Sequence, residues 1–241
     1  VLLVAGLVVS VLSLGKIVKN RANVLGPQIA KVDVTLDNAS VWIFPGRAQL
    51  TGLTIGNPPT CKSKVAVKIG DISVRLNPLT ALSEKMIIDS VIVKSPEITL
   101  EGGLKKNNLT QIQQNVEDYL NGGAAPAADQ PSAPAGASKP SMKFQVNELV
   151  ISGAKLHVIS LFKTGANISM PLPEIRMANL GAGEGGLTSP EIIHKALAAV
   201  LNSIAENAAD TVSNLGKDAV SKAKKFDFKK AGEKLKGIFG Q

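Results

Sequence analysis

The chain has 241 residues, is 44% hydrophobic but only 3% aromatic, and carries a formal net charge of +8. Its single Cys, Cys61, excludes an internal disulfide framework and a cysteine-based metal site. With one Trp and one Tyr, the apolar content falls to Val, Ile, Leu and Ala, which suits shallow apolar strand faces better than an enzyme core built on aromatic bulk.

Residues 1–14, VLLVAGLVVSVLSL, carry no charge, and Lys16, Lys19 and Arg21 follow. As a helix this run spans about 21 Å, short of a hydrocarbon core of roughly 30 Å. Lys16 can snorkel, so Ile17 and Val18 extend the span. The expectation is a transmembrane anchor over residues 1–18. Its opening on Val rather than Met places the rest of the span upstream. No small-x-small cleavage pattern follows, so a removed signal peptide is the weaker reading.

From Lys31 the apolar period becomes two. KVDVTL sets Val32, Val34 and Leu36 on one face. Asp37-Asn38 reads as a turn, after which Val41 and Ile43 resume the alternation. In VAVKIGDISVRL the apolar parity shifts from Val65, Val67 and Ile69 to Ile72, Val74 and Leu76. Gly70, at the shift, reads as a bulge or tight connection.

SVIVKSPEITLE (Ser90–Glu101) and ELVISGAKLHVI (Glu148–Ile159) align at an offset of 58 residues. Val91 then meets Leu149, Val93 meets Ile151, Ile98 meets Leu156 and Leu100 meets Val158. Each copy breaks in the middle, at Ser95-Pro96 and at Gly153-Ala154. GLTIGNP, with Leu53 and Ile55 in phase, matches the first half.

Between the copies, NNLTQIQQNVEDYL spaces Leu109, Ile112, Val116 and Leu120 as a helix over 108–120, with Asn107 or Asn108 as its N-cap. Residues 122–141 hold four Pro, three Gly and seven Ala and no aromatic or β-branched residue. Such a stretch buries too little apolar surface to offset the entropy of ordering it, and reads as a disordered linker. Like sequences on its two sides make it an insertion in one β region, residues 19–121 continuing at 142–180.

Thr188-Ser189-Pro190 opens a C-terminal helical segment, 188–241, by a hydroxyl cap and an early proline. From Gly216 onward eight lysines face three acidic residues. Lys224, Lys225, Lys229, Lys230, Lys234 and Lys236 make a basic amphipathic stretch that suits an anionic membrane surface, or else the solvated face of a helix packed on the sheet. Lysines without arginines or stacking aromatics argue against nucleic acid as a partner.

No catalytic constellation emerges. His157 and His194 lack metal-spaced partners. GAGEGG, 181–186, has neither the preceding buried strand nor the Lys-Ser/Thr ending of a phosphate loop. The reading is a non-enzyme without cofactor or metal.

Several segments in this order resemble the N-terminal region of AsmA-like proteins, the bacterial envelope family related to TamB and to chorein-type lipid-transfer proteins. They are GLTIGNP at Gly52–Pro58, LNPLTALSEKMIIDSVIVKSPEI at Leu76–Ile98, LVISGAKLHV after the linker and the terminal KLKGIFG. The resemblance covers most of residues 15–180. It implies a mostly β (α+β) fold: an N-terminal transmembrane helix, a curved antiparallel sheet of repeated strand pairs with an apolar concave face, and C-terminal amphipathic helices. It also implies a place in the bacterial inner membrane, with the bulk of the chain in the periplasm, and membrane lipid as partner. The groove would be lined by Val32, Val34, Leu53, Ile55, Val91, Val93, Ile98, Leu100, Leu149, Ile151, Leu156 and Val158. So few strands would hold a lipid or cap a larger assembly. The alternative is a structural or interaction subunit whose apolar strand faces pack on partner proteins, or that self-associates through sheet edges. A stress-protective domain of the late-embryogenesis-abundant type fits less well with a membrane span and repeated strands.

Overall fold

The structure, a computed structural model, describes residues 2–103, 106–122, 142–159, 168–183 and 185–225, with the backbone alone at 2–13, 168 and 208–225. The chain divides into two compact units. Val1–Ser203 holds the whole sheet, and the described part of Ile204–Gln241 is helical.

Helix α1 spans Leu2–Ala30. The expected anchor is thus the first part of a longer helix, because nothing after Leu14 breaks it until Pro27. Lys31 then takes a left-handed φ of 53°, and its N–H closes the last turn on the Pro27 carbonyl. Among the described residues no helix is long and apolar enough to cross a membrane. After Gly15 the helix turns amphipathic and runs antiparallel along strand β1, Val34–Trp42. Gly15 lies against the Ala39 carbonyl, Asn23 bonds Leu36 and Gly26 abuts the Val34 side chain.

Among the described residues nine strands form one mixed sheet. β1 pairs with β2 (Arg47–Gly56), and β2 with β3 (Val65–Leu76), both antiparallel. The far side of β3 is shared end to end. Its second half pairs antiparallel with β4 (Lys85–Lys94), and its first half, at Val67 and Lys68, with β5 (Glu97–Glu101). Beyond these, β6 (Lys143–Ser152) lies parallel to β4, and β7 (Lys155–Ile159) parallel to β5. β8 (Ile168–Pro171) and β9 (Ile175–Leu180) finish the two wings, antiparallel to β7 and β6. The all-antiparallel expectation is therefore corrected. The two copies of the repeat are not successive hairpins but parallel neighbours, joined by the long return that parallel strands require.

The 58-residue repeat is the register of that parallel pairing: Val91 opposite Leu149, Val93 opposite Ile151, Ile98 opposite Leu156, Leu100 opposite Val158. Both strands break where the sequence does. Ser95 takes φ 47° and Gly153 φ 65°, and the Ser95 N–H donates to the Ser152 carbonyl at 2.7 Å.

Two other local expectations are corrected. β1 passes straight through Asp37-Asn38, because Gly52 opposite leaves room for the Asp37 side chain; the turn comes at Ile43–Gly46. β3 is continuous through Gly70, with one register against β2 from Arg47–Arg75 to Ile55–Val67. The parity shift there is real, but it moves the apolar residues from one face of the sheet to the other. No bulge absorbs it.

α2 spans Asn108–Leu120, as the periodicity predicts. Asn107 is the cap: its Oδ1 accepts the Thr110 N–H at 2.9 Å, and its own N–H donates to the Thr110 hydroxyl at 3.0 Å. α3 spans Ser189–Lys225, and Glu191 reaches back to accept the N–H and hydroxyl of Thr188. Those two bonds, then partial burial acting against them and the charges of Lys143 and Lys195 with them, hold the Glu191 carboxyl below its usual range.

Candidate functional site

Residues in register on neighbouring strands share a face, so the pairings say where each predicted groove residue lies. One row crosses six strands: Val34, Ile55, Val67, Ile98, Leu156 and Met170. Leu53 beside Leu36, and Leu100 beside Val158, extend that face. A second row crosses six strands on the opposite face: Ala39, Leu50, Ile72, Val93, Ile151 and Ile175. Val91 and Leu149 belong to it, two positions along. The twelve candidates therefore do not line a single concave face. The β5–β7–β8 wing presents its apolar side one way, and the β4–β6–β9 wing the other way.

Nor do they form an open track. Val32, Val93, Ile98, Leu100, Leu149, Ile151, Leu156 and Val158 are buried; Val34, Leu53, Ile55 and Val91 are half-buried. α2 packs on β5 and on the end of α1 and brings in the buried Leu109, Ile112 and Val116. Asn115 donates to the Ala30 carbonyl at 2.7 Å, and Lys31 pairs with Asp118. Leu100 and Leu156, almost wholly buried, each contribute about 2–3 kcal/mol by removal from water. The eight buried positions are core, and the four half-buried ones border it.

Of the basic candidates, Lys224 and Lys225 lie at the end of α3, with only their backbone described. Lys229, Lys230, Lys234 and Lys236 lie outside the described residues, as does the linker from residue 123 to 141.

The edge expected to drive self-association is covered where β1 borders α1. Asn23 accepts the Leu36 N–H at 2.7 Å and donates to the Leu36 carbonyl at 3.4 Å, taking the place of a strand partner. At the other end of the β1–β2–β3 system, Asn108 ties helix to sheet. Its amide donates to Asn57 and to the Thr99 carbonyl and accepts the Glu101 N–H. Glu101 in turn accepts bonds from the Lys62 N–H and from the N–H and hydroxyl of Ser63, fixing the β2–β3 connection.

The opposite end differs in chemistry. There the β1–β2 turn meets the β3–β4 connection: the Leu76 N–H donates to the Gly46 carbonyl at 3.0 Å. Phe44 is 73% exposed in the first loop, and Leu79 and Leu82 are 85% and 102% exposed in the second. Trp42, at the end of β1, and Met142, just ahead of β6, are also exposed at this end. Large apolar side chains gathered at loop tips have no packing reason to be there. Beside them, Trp42, Pro45, Arg47, Gln49, Ser73 and Arg75 border a concavity of about 630 Å³.

Reasoning on the sequence missed this end, because alternation identifies strands and says nothing of loop tips. The available signals were WIFPGR, with two aromatics against a Pro-Gly turn, and leucines in NPLTALSE, where a turn needs none. No cluster of acidic, His and Cys residues suited to a metal ion occurs among the described residues. No family model, curated protein or solved structure matches the chain.

Proposed function

We propose that this is a non-catalytic, membrane-anchored protein of phospholipid handling or envelope organisation, as its resemblance to AsmA-like proteins implies, and that it meets the bilayer with the Trp42–Phe44–Leu79–Leu82 end of its sheet. The observation that carries this reading is the coincidence of two apolar features. α1 runs antiparallel to β1, with Gly15 beside Ala39. The uncharged residues 2–14 of that helix therefore lead toward the end where Trp42, Phe44, Leu79 and Leu82 stand exposed. A helix of that length, about 20 Å, together with apolar loop tips, suits seating in an interface; a rim of arginine and tryptophan suits the headgroup level.

Because the strand faces are core, lipid contact is assigned to this end and not to a groove along the sheet. The alternative, a subunit whose exposed apolar end packs on a partner protein, uses the same residues.

Trp42 is the only tryptophan of the chain, so its fluorescence reports this end alone. The full chain, reconstituted with vesicles of phosphatidylethanolamine and phosphatidylglycerol, is expected to show a blue-shifted Trp42 emission quenched by lipids brominated near the headgroup. Emission unchanged and unquenched in chain that floats with the vesicles would overturn this orientation and favour the protein-partner reading.

A further inference from the structure

The concavity beside the exposed loop tips has an unusual cationic wall. Arg47 and Arg75 are register partners on β2 and β3, and Trp42 on β1 is the register partner of Arg47. The three side chains share one face, with about 4.5–5.5 Å between paired α-carbons. Like charges placed directly opposite repel, and such a pair destabilises a sheet unless an anion lies between them. Among the described residues neither arginine makes an ion pair. Two acids share the face, and both are engaged: Asp71 accepts from Gln49 at 2.6 Å and from Ser73 at 3.2 Å, and Glu148, on β6 beyond β4, pairs with Arg176 at 2.8 Å. Across β3 from Arg75 stands Ser90, a neutral neighbour.

We infer that Arg47 and Arg75 form a binding site for a phosphate group, with Trp42 flanking the moiety that carries it. Two guanidinium forks on adjacent strands match the several oxygens of a phosphate, which accept bidentate bonds more strongly than a neutral ligand would. The volume is right for a small headgroup, and at about 630 Å³ exceeds what a bare ion needs. Trp42 and Pro45 give the wall an apolar side, against which the carbon skeleton that carries the phosphate can pack. The phosphate comes either from a phospholipid headgroup or from a free phosphate compound. Only the first source rests on the membrane orientation proposed above.

The test compares the full chain with an Arg47→Gln/Arg75→Gln variant, two exposed positions where loss of folding is not expected. Thermal unfolding is followed with inorganic phosphate and with glycerol phosphate, and binding with phosphatidylcholine vesicles that do or do not contain phosphatidylglycerol. The expected result is a phosphate-dependent rise in melting temperature that chloride at equal ionic strength does not reproduce. The double variant should lose it, with affinity for glycerol phosphate falling roughly tenfold or more. The same loss for phosphatidylglycerol vesicles identifies the source as a headgroup. Phosphate protection without vesicle dependence keeps the site, assigns it to a soluble phosphate compound and counts against the membrane orientation. Equal protection of both proteins by phosphate, or no protection of either, overturns the site, even where Trp42 quenching upholds the membrane orientation.

Discussion

Ser95 and Gly153 stand side by side at matching kinks of two parallel strands: a Cβ added to Gly153 would come 3.0 Å from the Ser95 hydroxyl oxygen. Both residues hold left-handed backbone, which costs a residue with a side chain about 1 kcal/mol or more and glycine little. The Gly153→Val substitution adds that cost and a collision, and is expected to destabilise the protein by about 2–3 kcal/mol. Ser95→Gly should be neutral or slightly stabilising. Urea unfolding midpoints at constant slope would check both; a neutral Gly153→Val would mean that the kink is not needed.

The Asn23 side chain should act as an edge guard. Asn23→Ala leaves the Leu36 N–H and carbonyl without their side-chain partner, with an expected loss of about 1–2 kcal/mol. It also opens the β1 edge, so light scattering should reveal concentration-dependent association absent from the parent chain. Asn23→Gln, which keeps the chemistry at the wrong length, should recover only part of the stability.

Core and rim positions should separate cleanly. Leu156→Ala, at a site only 2% exposed, is expected to cost about 2–5 kcal/mol. Leu82→Ser, on a fully exposed tip, should leave the unfolding midpoint unchanged while weakening vesicle flotation. A Leu82→Ser protein that floats like the parent would remove that loop from the proposed contact.

Glu101 links pH to the β2–β3 connection. Burial pushes its carboxyl up, but bonds from the Lys62 and Ser63 N–H groups and the Ser63 hydroxyl, with the Lys62 charge, outweigh this and hold it below the usual glutamate range. A carboxyl depressed by folding contributes stability that is present above its unfolded value and is lost as pH falls through its folded value. The protection of the Lys62 and Ser63 amides, taken as exchange relative to the intrinsic rate at each pH, should therefore show an extra fall as pH drops below the ordinary glutamate value of about 4.3. In Glu101→Gln that extra step should vanish. Burial and the Glu101 charge both raise the Cys61 thiol, while a Thr60 hydrogen bond lowers it, so maleimide labelling of Cys61 should be faster in the same variant.

Much of this fold could be read from the chain. The helix over Asn108–Leu120, its Asn cap and the Thr188 start follow from local spacing, because a cap and an apolar stripe act within a few residues. The correspondence of Val91 with Leu149 was visible as a repeat, yet its meaning was not. Two alternating segments look the same whether they pair parallel or lie in successive hairpins. Alternation also names the residues that share a side within one strand, but not which side of the sheet that is. The apolar positions change parity at Ser95 and at Gly153 while the strand register does not, so Val93 and Ile98, read as one groove, face opposite ways. The arginine pair escaped notice because Arg47 and Arg75 are 28 positions apart and meet only through a register that no local pattern announces.

The parallel register of β4 with β6 has a consequence for how this gene can change length. Those strands must be joined by a long return, and the return already contains the proline- and alanine-rich stretch of residues 123–141. Closing such a loop costs only about 0.6 kcal/mol more for each doubling of its length. Duplications or deletions there leave every paired residue where it was. The same number of residues added between Lys94 and Glu97, or between Ser152 and Lys155, would throw one wing out of step with its neighbour. Length variation in descendants of this sequence should therefore gather in the return and spare the two kinks, and a reporter domain inserted near residue 132 should leave the unfolding midpoint of the sheet unmoved.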